Sequence, residues 1–453
     1  MRIGLLTLIA AGCSFRASYD GTHYKCGEGD VCPSGQTCVA GECVAGTFDA
    51  PPGSPDSSTT DAPPGTPDAP MTQGRCGTLA LLRDDFTGTA VGPLWDPWTD
   101  GGPTVSESNG RFVIALPGGS QGSNGPWAGA GTRFEYDFTG SVLQSTISQI
   151  GGTDTVLEVR GHDGGKVQMV VEQGVLYAGV YDLPGQGTRA QVTYDPSVHK
   201  RWRLREANGV TYWEWSTDGN AWTELWHEND PFPPDHVRAE LAAGGQKSSA
   251  TEAHFEYVNT DVTPPAPFCG ASSLTDDFTA GSFDKRWSAW ADTPATIAQT
   301  GGNVVITTDG TTNIWSGFQS NHLYDLTDQA FYIDAATIPQ KSPYVAWMQA
   351  MEPDDDHLEI NVEGNTLQVL QVVGGSKVTN QSVTYDPVAQ RYWRMRADAT
   401  NIYMDTSPDG TTWTNRATAA AQIDPRALML IVGGGEYAAT TAQTQRIGGV
   451  NVH

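Results

Sequence analysis

Residues 76–260 and 269–453 of this chain carry one pattern written twice. Asp84-Asp85-Phe86-Thr87 returns 192 positions later as Asp276-Asp277-Phe278-Thr279, and Trp95 and Trp98 return as Trp287 and Trp290. Trp127 and Tyr136-Asp137 recur as Trp315 and Tyr324-Asp325 at an offset of 188. Thr193-Tyr194-Asp195-Pro196 recurs as Thr384-Tyr385-Asp386-Pro387 at 191. The shifting offsets confine insertions and deletions to the middle of each copy. Two copies are too few for a solenoid, and each is long enough to fold alone. With 52 Gly, 28 Pro and 14 Trp, the composition favours strands and turns over helices. No apolar run approaches the ~18 residues of a membrane-spanning helix. The 52 acidic and 26 basic residues leave a net charge of −26, which repels a phosphate backbone and argues against nucleic acid as a partner.

The strand signal is clearest at residues 201–225, where apolar and charged residues alternate with the period of a half-buried strand. Asn208-Gly209 is the favoured two-residue hairpin turn, and it sets the register. Trp202 then faces Trp215 and Leu204 faces Trp213 on the core side; Arg203 faces Glu214 and Arg205 faces Tyr212 on the other. Shifting by 191 predicts Arg394 opposite Asp405 and Arg396 opposite Tyr403, with Trp393 opposite Thr406 and Met395 opposite Met404 on the core side. The outer face keeps its chemistry while the core face changes. Cross-strand pairing alone accounts for such a face. The alternative is a polar, aromatic surface that receives a ligand, formed by Arg203, Arg205, Tyr212 and Glu214 and by Arg394, Arg396, Tyr403 and Asp405. Trp213, Trp226 and Trp347 belong to one copy each, and they differ either for specificity or for packing.

The chain opens MRIGLLTLIAAGC. A basic residue, a short apolar stretch and small residues ending in Cys13 resemble the bacterial lipobox, in which the signal (1–12) is removed and the cysteine acylated. An ordinary signal peptide is the alternative. The resemblance implies an exported protein held by its lipid anchor, and Ser14 after the cysteine implies the outer membrane; display at the cell surface is the expectation, with a periplasm-facing orientation as the alternative. The remaining six cysteines suit an oxidising compartment. Cys26, Cys32, Cys38 and Cys43, within segment 13–43, lack the C-x2–4-C spacing of zinc sites, so two disulfides of open pairing are expected in a mini-domain too small for a core. Cys76 and Cys269 precede the two repeats at equivalent places and are expected either to bridge or to stay as free thiols. Residues 44–75 contain the near-duplicate DAPPGSPD and DAPPGTPD. Pro-rich chain of this kind is extended, and this stretch would reach up to roughly 100 Å as a stalk. Residues 261–268 link the repeats.

An opening DDF, then W-x-x-W, G-x-F/V-x-I, W-x-G-x6-Y-D, a W-x-R-x-R strand, S-x-D-G-x-x-W and a final V-N resemble the concanavalin A-like lectin/glucanase superfamily, nearest to its LamG-like and beta-xylosidase C-terminal-like jelly rolls. The resemblance covers both repeats. It implies an all-β protein of two tandem antiparallel β-sandwiches, each with sheets of six or seven strands and the first and last strands adjacent. It further implies glycan binding on or beside one sheet, although this fold hosts unrelated functions. S-x-D-G-x-x-W is also similar to the sialidase Asp-box, a structural turn.

Glycosidases of the superfamily carry E-x-D-x-E on one strand, and retaining hydrolysis needs two carboxyls ~5–5.5 Å apart. Leu358–Gly364 reads LEINVEG and puts Glu359, Asn361 and Glu363 on one face; the first copy has LEVRGHDG, with Glu158 and then Arg160. A chance Glu-x-x-x-Glu in an acidic chain is the simpler account, so no enzyme is expected. Asp354-Asp355-Asp356 could hold calcium, or be a solvated loop; no other cofactor is expected. The nine histidines are scattered, with no metal-binding motif. The expected function is capture of a glycan or polysaccharide by two modules on one anchor, where proximity raises avidity. The alternatives are a structural or protein-binding envelope lipoprotein and a divergent glycoside hydrolase.

Overall fold

The computed structural model describes residues 76–118, 125–245, 249–438 and 441–452, with the backbone of three short strands, Tyr24–Lys25, Gln36–Val39 and Glu42–Ala45. Cys38 and Cys43 face each other across the last two strands. Cys13, Cys26, Cys32, the side chains of Cys38 and Cys43, and the Pro-rich stretch 46–75 lie outside the described residues, as do the lipidation and pairings expected there.

Residues 72–453 form one compact unit holding two all-β antiparallel sandwiches, each with its own buried core. In the first, one sheet runs from Gly187–Thr193 through Val175–Tyr181, Lys166–Glu172, Asp154–Gly161, Val237–Gly244 and Trp127–Thr132 to Trp95–Asp100. The second sandwich repeats that order with Ser376–Thr384, Thr366–Val373, His357–Glu363, Tyr344–Met351, Met429–Glu436, Ile314–Ser320 and Trp287–Ala291. The opposing sheet of the first sandwich has seven strands, whereas in the second it divides into pieces of five and three. The division falls at Gly448, where the closing strand breaks between Gln443–Ile447 and Gly449–Val450.

The repeated motifs are the joints of this fold. Asp84 accepts a hydrogen bond from the Trp95 indole at 2.9 Å, and Asp276 does the same for Trp287, so DDF and W-x-x-W are one device. Asn259 and Asn451, which end the two copies, donate to the carbonyls of Leu79 and Val142 and of Ala271 and Leu274. Asp84 bridges to Val258 and Asp276 to Val450, which sets the first and last segments side by side. The hairpin register is the expected one: Trp202 pairs with Trp215, Arg203 with Glu214 and Arg205 with Tyr212. Asn208 and Gly209 both have positive φ (57° and 79°), as this turn requires. The second copy lacks that dipeptide, and the Asp398 side chain closes the turn instead by accepting from the Thr400 and Asn401 N–H groups. Arg394 still pairs with Asp405, and Arg396 with Tyr403.

Cys76 and Cys269 form a disulfide with a Cα–Cα distance of 4.7 Å. It lies where the two sandwiches meet. Leu323 and Met429 of the second pack into the first core, and Arg133 donates to the Pro353 carbonyl at 2.7 Å.

Candidate functional site

The eight residues expected to receive ligand form two equivalent ladders. Arg203 stacks over Trp222 with its guanidinium carbon 3.9 Å from the ring centroid, and Arg205 over Tyr212 at 4.0 Å. Both donate to Glu214, at 2.7 and 3.1 Å. In the second copy Arg394 lies over Trp413 and Arg396 over Tyr403, each at 4.0 Å, and both donate to Asp405. Burial pushes the Glu214 and Asp405 carboxyls up, but the paired guanidiniums, with Asn415 at Asp405, hold both below the ordinary carboxylate value. One face of each aromatic is therefore covered by an arginine, and each arginine is spent on a carboxylate. Arg396 and Tyr403 also border a groove of about 400 Å³ with Asp398 and Gln329.

Two tryptophan-bearing clefts lie over the other sheet of each sandwich. The first, about 790 Å³, is bounded by Trp98 and Trp127, with Glu158, Arg160, Lys166 and Glu240 across it. The second, about 440 Å³, holds Trp290, Trp315 and Trp347, with Gln349, Met351 and Glu359. The shared strand order and the offset of 191 put the clefts in register: Glu158 corresponds to Gln349 and Gln168 to Glu359. This corrects the matching of LEINVEG with LEVRGHDG. The strand bearing Glu359 is the counterpart of Lys166–Glu172, because sheet order, not local likeness, decides which strands correspond. In both clefts a Gln amide donates to a Glu carboxylate on the adjacent strand, and the two residue types have exchanged strands.

The clefts differ in chemistry. Among the described residues the first is lined by five carboxylates and two cations, the second by Glu359 as its one charged group. Arg160 lies 2.8 Å from Glu158 and 3.5 Å from Glu240, which face each other in register on neighbouring strands. Burial, and then the Glu158 charge, raise the Glu240 pKa against the pull of Arg160 and Lys166. In the second cleft Val156 and Arg160 are replaced by Trp347 and Met351. The Trp315 and Trp347 rings are 5.4 Å apart and tilted by 58°. Both lie directly on glycine backbone. A Cβ on Gly433 would stand 2.5 Å from Trp347, and one on Gly435 2.5 Å from Trp315. Gly433 and Gly435 are thus the floor on which these two indoles rest.

Glu359 lines the second cleft, its carboxylate held by Gln349 and Asn361. Glu363 lies outside the lining, bound by Ser342 and the Tyr437 hydroxyl. Asp354 and Asp356 gather with Glu352, while Asp355 turns instead toward Arg133 at 3.8 Å. Trp213 is core, with its indole donating to the Gln168 carbonyl, and Trp226 is exposed. The cleft tryptophans carried a legible signal. Residues i and i+3 of a strand point to opposite faces, so W-x-x-W must send one indole into the core and one out of it. Trp95 is 3% exposed and Trp98 36%.

No family model matches the chain, and no curated protein matches it. Among solved structures it is similar to a prokaryotic beta-1,3-1,4-glucanase (lichenase) derived from a mouse hindgut metagenome, at 12% identity over 39% of this chain and 96% of that one, with a TM-score of 0.30. It is similar to the Bacillus licheniformis beta-glucanase at 12% identity, over 39% and 95%, TM-score 0.30. For a laminarinase from Flavobacterium sp. UMI-01 the values are 10% identity, 39% and 96%, TM-score 0.31. Likeness at this level says nothing of activity or ligand.

Proposed function

We propose that this protein is an exported, lipid-anchored carbohydrate-binding protein whose ligand sites are the two tryptophan clefts. The observation that carries this is the second cleft: three half-buried indoles over a glycine floor, beside the Gln349–Glu359 pair. A sugar ring offers an apolar C–H face to an aromatic plane and hydroxyls to an amide and a carboxylate. A cleft with this chemistry suits a neutral glycan; the first cleft, with its arginine, lysine and carboxylates, suits a more polar one. The arginine ladders on the opposite sheets are structural in this reading, because their charges and one face of each ring are already engaged.

The test is polysaccharide-array and calorimetric binding by residues 72–453. Trp347→Ala should weaken neutral-glycan binding by about 2 kcal/mol, or ~30-fold, as loss of a central aromatic anchor does. Trp98→Ala should affect only ligands of the first cleft. Loss of binding in Arg203→Ala or Arg394→Ala, with the tryptophan variants unaffected, would move the site to the ladders. Absence of binding by folded protein would turn attention to envelope-protein partners. Anchoring has its own test: Cys13→Ala should abolish fatty-acid labelling and release the protein from the membrane fraction.

The in-register pair Glu158 and Glu240 favours a second reading, hydrolysis in the first cleft. Facing residues on antiparallel strands have Cβ atoms ~4.5–5.5 Å apart, compatible with the ~5–5.5 Å carboxyl separation of retaining glycosidases. The raised pKa of Glu240 suits it to hold a proton. This reading requires reducing-sugar release that disappears in both Glu158→Gln and Glu240→Gln.

A further inference from the structure

Three of the scattered histidines meet where the sandwiches join. Tyr136 bridges to Val237, which sets Glu135 beside His236 in the first sandwich. The Glu135 N–H donates to the Asn321 carbonyl at 2.8 Å, which draws in His322 of the second. The three side chains are buried, with residue exposures of 4, 9 and 7%. His236 Nδ1 is 2.9 Å from Glu135 Oε2 and 3.0 Å from His322 Nε2, and one donor atom from each residue lies within 4.8 Å of the others. One proton on His236 Nδ1 can serve the carboxylate or the second imidazole fully, not both. A cation at the centre engages all three lone pairs together. Ligand atoms on a tetrahedral ion with bonds of about 2.0–2.1 Å stand roughly 3.3 Å apart, near the 2.9 and 3.0 Å that separate His236 Nδ1 from the other two donors.

The surroundings fit an ion. The other carboxylate oxygen, Glu135 Oε1, is engaged by His162 Nδ1 at 2.8 Å and lies 3.9 Å from Arg238 Nε, so an outer layer orients the carboxylate. A cavity of about 10 Å³ beside His236, near the lower limit for one water, is bordered by His162, Asp235 and Lys285. Asp235 Oδ1 is buried there without a hydrogen-bond partner among the described residues. The disulfide is adjacent: a Cβ on Gly77 would lie 3.4 Å from His322 Nδ1 and 3.9 Å from Cys269 Sγ.

We propose that Glu135, His236 and His322 form a zinc-binding site that clamps the two sandwiches together. Two imidazoles and a carboxylate suit zinc and its transition-metal neighbours; calcium and magnesium want oxygen donors throughout. Because the ligands come from both repeats, the metal acts on the same junction as the Cys76–Cys269 bridge.

The experiment uses the full chain, oxidised, stripped with a chelator and desalted. Titration with Zn²⁺ alone should show one ion bound per chain at micromolar or tighter affinity and a raised melting temperature. Co²⁺ should give visible d–d bands without a near-ultraviolet thiolate band. X-ray absorption of the zinc-loaded wild type, which needs no variant, should show nitrogen and oxygen at about 2.0–2.1 Å and no sulfur at about 2.3 Å. His322→Ala and His236→Ala should lose the ion while melting like the metal-free wild type. His162→Ala should weaken binding about 10–100-fold, and His227→Ala, at an exposed site, should leave it unchanged. Wild type that binds no tighter than millimolar, a thiolate signature, or retention of the ion in both His322→Ala and His236→Ala would overturn the proposal.

Discussion

Replacing Glu214 by Gln tests whether the arginine ladder is structural or receives ligand. The Glu214 side chain is 8% exposed, and those of Arg203 and Arg205 18 and 28%. It accepts three hydrogen bonds, from Arg203 Nε at 2.7 Å and from Arg205 Nε and Nη2 at 3.1 Å each. The amide keeps the shape but removes the charge and turns an NH₂ toward a guanidinium. Hydrogen bonds to charged groups contribute about 1.5–3 kcal/mol. Partial exposure lets the arginines rehydrate, so the net loss should be about 2 kcal/mol. For a domain of this size that is about 4–8 °C in Tm. The sign of the pH dependence follows from the lowered Glu214 pKa. A carboxyl depressed in the fold stabilises above its unfolded pKa and loses that contribution as pH falls through the folded value. The wild-type advantage should therefore be complete at neutral pH and shrink below about pH 4. Calorimetric melts at pH 7 and pH 3 measure both, with glycan binding measured beside them and expected to change less than twofold. A Tm change under about 1 °C, a gap that persists in acid, or loss of binding without loss of stability would refute the structural assignment.

Gly433→Ala should block the second cleft, since the new methyl would stand 2.5 Å from Trp347 and 2.9 Å from the Ser316 carbonyl. Overpacking of this kind costs about 1–3 kcal/mol, and calorimetry should show at least a tenfold loss for second-cleft ligands and none for the first. The double variant Cys76→Ser/Cys269→Ser should lower stability by about 2–4 kcal/mol in thermal melts while both sandwiches still fold, because each has a separate core. Asp405→Asn should reproduce the Glu214→Gln effect and its acid dependence in the second sandwich, since two arginines and Asn415 hold that carboxylate.

Much of the fold is legible because its signals are local. Alternation and an Asn-Gly turn place Arg203 opposite Glu214 without reference to the rest of the chain, and the repeat carries that register to Arg394 and Asp405 despite a different turn. The site was less legible. The repeated Arg, Tyr and acidic positions have the composition of a binding face, yet their side chains engage one another. That could not be read from strand alternation, which gives the face of a residue and not the direction of its guanidinium. The W-x-x-W spacing did carry the cleft, through the parity of strand positions.

The sequence by itself determined the duplication, the all-β character and the hairpin register in both copies, because these depend on repetition, period and turn chemistry. Tertiary structure decided which strands are neighbours. Sheet order sets Glu158 beside Glu240, although the two lie far apart in the chain. Sandwich docking brings Glu135, His236 and His322 within reach of one another, although Glu135 and His322 come from different repeats. Such contacts are made by backbone pairing and packing between distant segments, and no local pattern in the chain records them.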